Sequence, residues 1–377
     1  MIVGVIGGGQ LARMMIPPAV NLGLELRVFA ETEGESAGLA TTTVGDFRNA
    51  QEVLAFAQGV DVITFDHEHV PQSVLAELVA AGVAVRPGPE ALLYAQDKLL
   101  MRRRLTELGV PVPDWAAVES AEELGAFLAD HGGHAVVKPA RGGYDGHGVR
   151  VVADAHDADD WFTTLAEDAN GGALLVEEFV EFQRELAQLV ARRPSGEIVA
   201  WPVVESVQRD GMCVEVIAPA PSSAVRVADA ASDIAYTVAD KLGVTGVLAV
   251  ELFETTDARL LVNELAMRPH NTGHWTIDGS TTSQFEQHLR AVLDLPLGAT
   301  GFREPWSVMV NVLGGPPSGI LTDRYAAALR GRPTVKVHNY GKAARPGRKV
   351  GHVTATGDDL DTVAFEARAA AAAFTAP

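Results

Sequence analysis

Cysteine is almost missing from this sequence. Cys213 stands alone in 377 residues, so no disulfide can form within the chain, and a reducing cytoplasm is the simplest setting. Long apolar runs are missing too, since none reaches the roughly 18 residues that a membrane-spanning helix requires. Basic residues are scarce: 30 Lys and Arg face 49 Asp and Glu, a formal charge of −19. That balance excludes a general nucleic-acid binder, because phosphate contacts need a basic face. It does not exclude anionic small molecules, since distant charges are screened beyond about 8–10 Å and a local basic cluster can dominate a closed cleft. The opening Met1-Ile2-Val3-Gly4-Val5-Ile6 lacks the basic start of a signal peptide and reads as a first strand. These deficits predict a soluble cytoplasmic protein whose partners are small molecules, with no nucleic acid and no membrane. The 47% of hydrophobic residues is ample for two or three packed units.

Residues 1–95 alternate apolar strands (Ile2–Ile6, Leu26–Ala30, Val60–Phe65) with helical stretches, which is βαβ logic and predicts a parallel sheet. A basic helix is expected from Ala95 to Leu108, ended by Gly109-Val110-Pro111. Beyond it the texture changes: strands at Ala135–Pro139, Val149–Val152 and Ala173–Phe179, then mostly strands over residues 185–266 with a helix near Ala230–Leu242. The alanine-rich stretch Asp361–Ala373 begins with acid and predicts a final helix.

Gly7-Gly8-Gly9-Gln10-Leu11-Ala12 follows a strand and opens a helix, matching the dinucleotide fingerprint, with Glu31 near the expected acidic position. By itself it leaves an NAD-binding redox or binding module open. Glycines there also serve a tight turn that brings a helix N-terminus to an anion or sugar. The run Gly142-Gly143-Tyr144-Asp145-Gly146-His147-Gly148 lies between two strands, which rules out a Walker-type loop. Its density suits a flap whose backbone N–H groups close over phosphates, with Lys138 supplying a fixed charge.

Two apolar strands, Val247–Phe253 and Leu260–Ala266, flank a turn. Pairing Phe253 with Leu260 predicts Glu251 and Glu264 as diagonal neighbours on one face, roughly 7–8 Å apart at Cβ. Such a pair suits oxygen ligation of Mg²⁺ with ATP phosphates completing the shell. Asn263 would join only through a bulge or a twist at the strand end. Arg268, His270, Asn271, His274 and Trp275 follow without helix or strand periodicity. His270 and His274 are four apart, but Pro269 and Gly273 argue against a zinc helix. Lys342, Arg345, Arg348 and Lys349 crowd a loop that suits a phosphate clamp. His67-Glu68-His69 reads as a loop lining a cleft.

Together these pieces resemble the ATP-grasp superfamily and, within it, the N5-carboxyaminoimidazole ribonucleotide synthetases. The resemblance runs in order through Gly8–Leu11, Thr64–Glu68, Gln96–Lys98, Lys138–Gly148, Glu177–Phe179, Gly246–Phe253, Asn263–Thr276, Ser283–His288 and Arg345–His352. It implies an α/β fold, α+β in part: an N-terminal parallel-sheet, Rossmann-like unit (1–95), an ATP-grasp domain (96–297, with a mobile lobe about 113–182) and a small C-terminal domain (298–377). The activity it implies joins bicarbonate to the exocyclic amine of 5-aminoimidazole ribonucleotide, splitting ATP to ADP and phosphate, in a homodimer using Mg²⁺ or Mn²⁺. Another ATP-grasp ligase or transformylase acting on a ribotide amine is the alternative. Carried over by position, Lys98, Lys138, Gly143, Tyr144, Asp145, Gly146, His147, Gly148, Val149, Glu177, Glu178, Phe179, Val180, Glu185, Gln208, Asn263 and Glu264 would hold ATP. Glu251 and Glu264 would hold the metal. Gln10, Leu11, Glu68, Asp145, Arg268, His270, Lys342, Arg345 and Arg348 would hold the ribotide, with Asp145, Arg268, His270 and Lys342 the catalytic set. Three positions depart from the family's usual pattern. Met267 stands where proline is common, which predicts a softer loop before Arg268; His147 stands where arginine is frequent, and Lys98 replaces an arginine of some members.

Overall fold

β1 (Ile2–Ile6) is apolar throughout except for Gly4, the pattern of a parallel strand covered on both faces. α1 (Gln10–Asn21) returns the chain to β2 (Glu25–Ala30). β3 (Thr41–Val44), α2 (Ala50–Phe56), β4 (Val62–Phe65) and α3 (Gln72–Ala80) complete a parallel sheet in the order β3-β2-β1-β4. This is a computed structural model, and it describes every residue except 143–147, 168–171, 223–224 and 376–377.

The single helix expected over Ala95–Leu108 is broken. α4 (Pro89–Gln96) stops at Asp97, which is extended and caps α5 (Lys98–Glu107) by accepting from the Leu100 N–H at 3.0 Å. A separate antiparallel sheet, β5-β8-β6-β7, is built from β5 (Trp115–Val118), β6 (Ala135–Pro139), β7 (Arg150–Val152) and β8 (Leu174–Glu178). α6 (Ala121–Asp130) and α7 (Asp159–Glu167) pack on it, and the glycine-rich run joins β6 to β7.

The large antiparallel sheet contains β9 (Phe182–Arg192), β10 (Ile198–Ala200), β11 (Val204–Arg209), β12 (Met212–Ala218), β13 (Gly246–Thr255) and β14 (Leu260–Ala266). α8 (Val225–Lys241) buries Val227, Ala231, Ile234, Ala235 and Val238, one stripe at helical spacing. α9 (Thr276–Gly279) and α10 (Gln284–Val292) follow, and Phe285, Leu289 and Val292 of α10 share a core with Val3, Val5, Leu11 and Met15 of the N-terminal unit. The last segment supplies β15 (Trp306–Leu313), α11 (Tyr325–Leu329), β16 (Lys336–Asn339), β17 (Lys349–Gly357) and α12 (Leu360–Thr375). Its strands extend the large sheet through β12–β15 pairing, giving the order β14-β13-β9-β11-β12-β15-β17-β16 with β10 beside β9. They also bury a cluster of their own against α12, including Val308, Val353, Ala367 and Phe374. Among the described residues no helix is long and apolar enough to cross a membrane.

Candidate active site

The glycines after β1 bring α1 close to the end of β4, where an anion is already in place. Asp66 accepts from the Gly9 and Ala12 N–H groups at 3.1 and 2.7 Å. A Cβ on Gly9 would lie 2.1 Å from Asp66 Oδ2, so glycine is required there by close approach. Glu31 is spent on Arg48 at 3.1 Å. The helix N-terminus that a dinucleotide would need is thus filled by the chain's own carboxylate, which corrects the NAD reading of this motif.

The register of β13 and β14 also differs from expectation. Glu254 pairs with Leu260 and Leu252 with Val262, and then the ladder shifts so that Glu251 faces Glu264 directly. Asn263 is the extra residue at this bulge. The acids are therefore opposite one another, about 4.5–5.5 Å apart at Cβ, instead of diagonal. Burial, then the Glu264 and Glu185 carboxylates, push Glu251 up to about 8. Like charges held this close call for a cation, and the donor set is of the hard-oxygen kind that suits Mg²⁺. Among the described residues no cluster of three or more His, Cys, Asp or Glu stands ready to hold a metal ion.

Beside the pair lies a charge network that joins four elements. Arg102 of α5 is entirely buried and donates through Nε to Glu177 of β8 at 2.5 Å and through Nη2 to the Asn263 carbonyl at 2.6 Å. Lys138 of β6 lies 2.7 Å from the other Glu177 oxygen and 3.3 Å from Asn263 Oδ1. Burial by itself would raise Glu177, but Arg102 and Lys138 outweigh it and hold the carboxyl down at about 2. Glu177 therefore turns inward, onto Arg102 and Lys138. Glu178 caps a neighbouring strand by accepting from the Asp114 N–H at 3.0 Å. Glu185 faces the cleft, raised to about 7 by burial against the pull of Lys138. Lys98 reaches the Gly142 carbonyl at 2.5 Å, and Asp97 pairs with Arg141 at 3.0 Å.

The segment after β14 is firm. Met267 is fully buried and its N–H donates to Glu68 at 2.8 Å, a bond that proline could not make. The expectation of a soft loop is reversed: Glu68 also takes Arg268 Nε at 2.9 Å. His270 Nδ1 accepts from the Thr272 N–H at 3.4 Å and lies 2.8 Å from its hydroxyl, so Nε2 carries the ring proton and faces Glu251 at 3.6 Å. Burial, Arg268 and Lys349 push His270 well below its ordinary value, so it is neutral.

One cleft of about 1070 Å³ gathers these groups. Lining it are Gln10, Leu11, Glu68, Lys98, Lys138, Gly148, Val149, Glu177, Glu178, Phe179, Val180, Glu185, Gln208, Glu251, Asn263, Glu264, Arg268 and His270, together with His67 and His69. Gly143, Tyr144, Asp145, Gly146 and His147 lie outside the described residues. The cationic loop divides. Arg345 is exposed, Arg348 donates to the Ala343 carbonyl at 3.3 Å and Lys342 meets the side chain of Gln10, and none of the three is among the lining residues. Lys349, part of the expected clamp but not of the ribotide set that the resemblance implies, lines the cleft instead. Arg102 was also missed, although it follows Lys98 by one helical turn and so shares its face, a signal the sequence did carry.

Known proteins share this arrangement. Residues 1–96 match the ribonucleotide synthetase preATP-grasp domain, residues 103–285 the ATP-grasp domain, and residues 307–365 the phosphoribosylaminoimidazole carboxylase C-terminal domain. An N5-carboxyaminoimidazole ribonucleotide synthase of Mycobacterium bovis is 52% identical over 374 residues, covering 98% of this chain and 87% of that protein. One from Corynebacterium ammoniagenes is 48% identical, covering 98% and 91%. The crystal structure of N5-carboxyaminoimidazole ribonucleotide synthetase from Thermus thermophilus superposes with a TM-score of 0.87 at 36% identity, covering 99% and 98%. That of the Aspergillus clavatus synthase, in complex with ADP and 5-aminoimidazole ribonucleotide, gives 0.87 at 29% identity, covering 98% and 97%.

Proposed function

Because this chain belongs to the N5-carboxyaminoimidazole ribonucleotide synthase family of ATP-grasp ligases, we infer that it carboxylates the exocyclic amine of 5-aminoimidazole ribonucleotide with ATP and bicarbonate, releasing ADP and phosphate in purine biosynthesis. The observation that carries the reading is the directly facing Glu251–Glu264 pair, just upstream of the segment that puts Arg268 and His270 into the same cleft.

Adenine would sit at the end of β8, where Glu178, Phe179 and Val180 line the cleft, and Glu185, which lines it too, would face the sugar. Bicarbonate oxygen attacks the γ-phosphorus and the bond to the bridging oxygen of ADP breaks, giving carboxyphosphate. Lys138, fixed by Glu177 before substrate arrives, is a preorganised cation for the charge that develops. Glu251 and Glu264 would hold Mg²⁺, or Mn²⁺, which supplies further charge neutralisation at the phosphates. The carbon–oxygen bond of carboxyphosphate then breaks with its electron pair leaving on phosphate. The ribotide nitrogen forms the new C–N bond and gives up a proton, which the phosphate just released takes up. His270 presents an Nε2–H to the cleft, so its role here is to donate and orient; Arg268, anchored on Glu68, and Lys342 hold the anionic ribotide. The same reading carries a cytoplasmic homodimer.

ADP release measured with bicarbonate, with and without 5-aminoimidazole ribonucleotide, tests this. Ribotide should stimulate turnover strongly, and Glu264→Ala should reduce the stimulated rate at least about 100-fold. Ribotide-independent turnover in the unaltered protein would defeat the assignment, and near-normal turnover in the variant would defeat the metal site.

A further inference from the structure

The stretch Ser283–His288 puts three polar side chains, Gln284, Gln287 and His288, on the buried face of α10, and the reaction above uses none of them. Gln284 has no exposed surface. Its Oε1 accepts from the His270 N–H at 2.8 Å and its Nε2 donates to the His270 carbonyl at 2.7 Å. One of those backbone groups can only donate and the other only accept, so the orientation of the amide is fixed by its partners. The second N–H of the same amide meets His274 Nδ1 at 3.0 Å. That nitrogen must then be the lone-pair nitrogen, which leaves the neutral His274 ring protonated at Nε2. Burial, foremost, pushes His274 well below its ordinary value, in keeping with a neutral ring. The Gln284 N–H donates to Thr276 Oγ1 at 2.9 Å, and that hydroxyl donates to the Gly273 carbonyl at 2.6 Å. A Cβ on Gly273 would lie 2.3 Å from Gln284 Oε1, so the whole turn rests on this amide.

We propose that Gln284 is a positioning residue for the carboxylation half of the site. One amide fixes the main chain of His270 and the Nε2–H form of His274, so that both imidazoles line the cleft in a set orientation. The inference rests on the reading of residues 268–274 as facing the ribotide. Among the described residues none of its hydrogen bonds reaches Lys138, Glu177 or Glu264, so its loss should spare the ATP half.

The fold provides its own control. Gln287, three residues on, makes the same two bonds to Gly298, accepting from its N–H at 2.8 Å and donating to its carbonyl at 2.7 Å. Gln284→Met and Gln287→Met therefore remove the same pair of main-chain bonds from one helix but release different turns, and Gln284→Met also removes the bond to His274. Gln284→Met should lower kcat/KM for 5-aminoimidazole ribonucleotide about 10- to 100-fold with KM for ATP within about twofold. Gln287→Met should lower the melting temperature comparably and keep both kinetic constants near those of the unaltered protein. Thr276→Val, a milder break in the same lock, should follow Gln284→Met in direction, and it decides the matter if Gln284→Met does not fold. Equal kinetics in the two Met variants, a parallel loss of ATP and ribotide affinity in Gln284→Met, or unchanged ribotide kinetics in Thr276→Val would overturn the proposal. Nitrogen NMR of histidine-labelled protein reads the tautomer without turnover. It should show His274 wholly protonated at Nε2 in the unaltered protein and an exchanging mixture of both tautomers in Gln284→Met; an unmixed Nε2–H form in the variant overturns the proposal even if the ribotide reading itself has failed.

Discussion

Arg102→Met removes the buried cation that ties α5 to both sheets. Its target, Glu177, is held down at about 2 against an ordinary value of 4.5. That gap of about 2.5 pH units corresponds to about 3 kcal/mol favouring the folded, ionised carboxylate at neutral pH. Because the folded value is the depressed one, this contribution is present above pH 4.5 and fades as pH falls toward 2. Breaking a buried pair from one side costs about 3–5 kcal/mol, whereas replacing both charges with apolar groups costs far less. Equilibrium urea unfolding at neutral pH should therefore show Arg102→Met less stable by about 3 kcal/mol. The double variant Arg102→Met/Glu177→Met should recover part of that loss, since Lys138 keeps Asn263 Oδ1 at 3.3 Å as a partner. A single-variant cost below about 1 kcal/mol, or strictly additive costs in the double variant, would refute the reasoning.

Two further outcomes follow from a buried histidine and from a close approach of main chain to carboxylate. His288 is neutral in the fold, accepting from the Val247 N–H at 3.1 Å and lying 2.8 Å from Thr64 Oγ1, and burial lowers it to about 3. Its depressed value means that stability present above pH 6.5 is lost as pH falls, by about 1.4 kcal/mol per pH unit. His288→Gln should flatten the acid side of the stability curve by that slope, and an unchanged slope measured by urea unfolding between pH 6 and 4.5 would count against it. Gly9→Ala should displace Asp66 from α1 and cost about 1–3 kcal/mol through overpacking. Thermal melting that shows no change would mean that the approach of α1 to Asp66 is looser than described.

Much of the architecture was legible because it depends on near neighbours. The apolar runs at Ile2–Ile6 and Ala135–Pro139, the glycine run between two strands and the acids inside apolar sequence all follow from local periodicity. The break at Asp97 was missed inside a helical pattern that continues on both sides, although an acid three residues before Leu100 is a capping signal. The inward turn of Glu177 could not be read, because Arg102 lies 75 residues away in sequence.

What the sequence determined by itself was which chemical groups this protein has and which of them share a strand or a turn: two acids on neighbouring strands, a glycine-rich turn before a helix, a cationic loop. The tertiary structure decided how each is used. It set Glu251 opposite Glu264 by a single bulged residue, filled the glycine turn with Asp66, chose Lys349 over Arg345 and Arg348 to line the cleft, and locked Met267 where a soft loop was expected. The physical reason is that a one-residue change of register, or a partner more than 50 residues distant, reverses which face or which charge a side chain meets, and no local pattern records either.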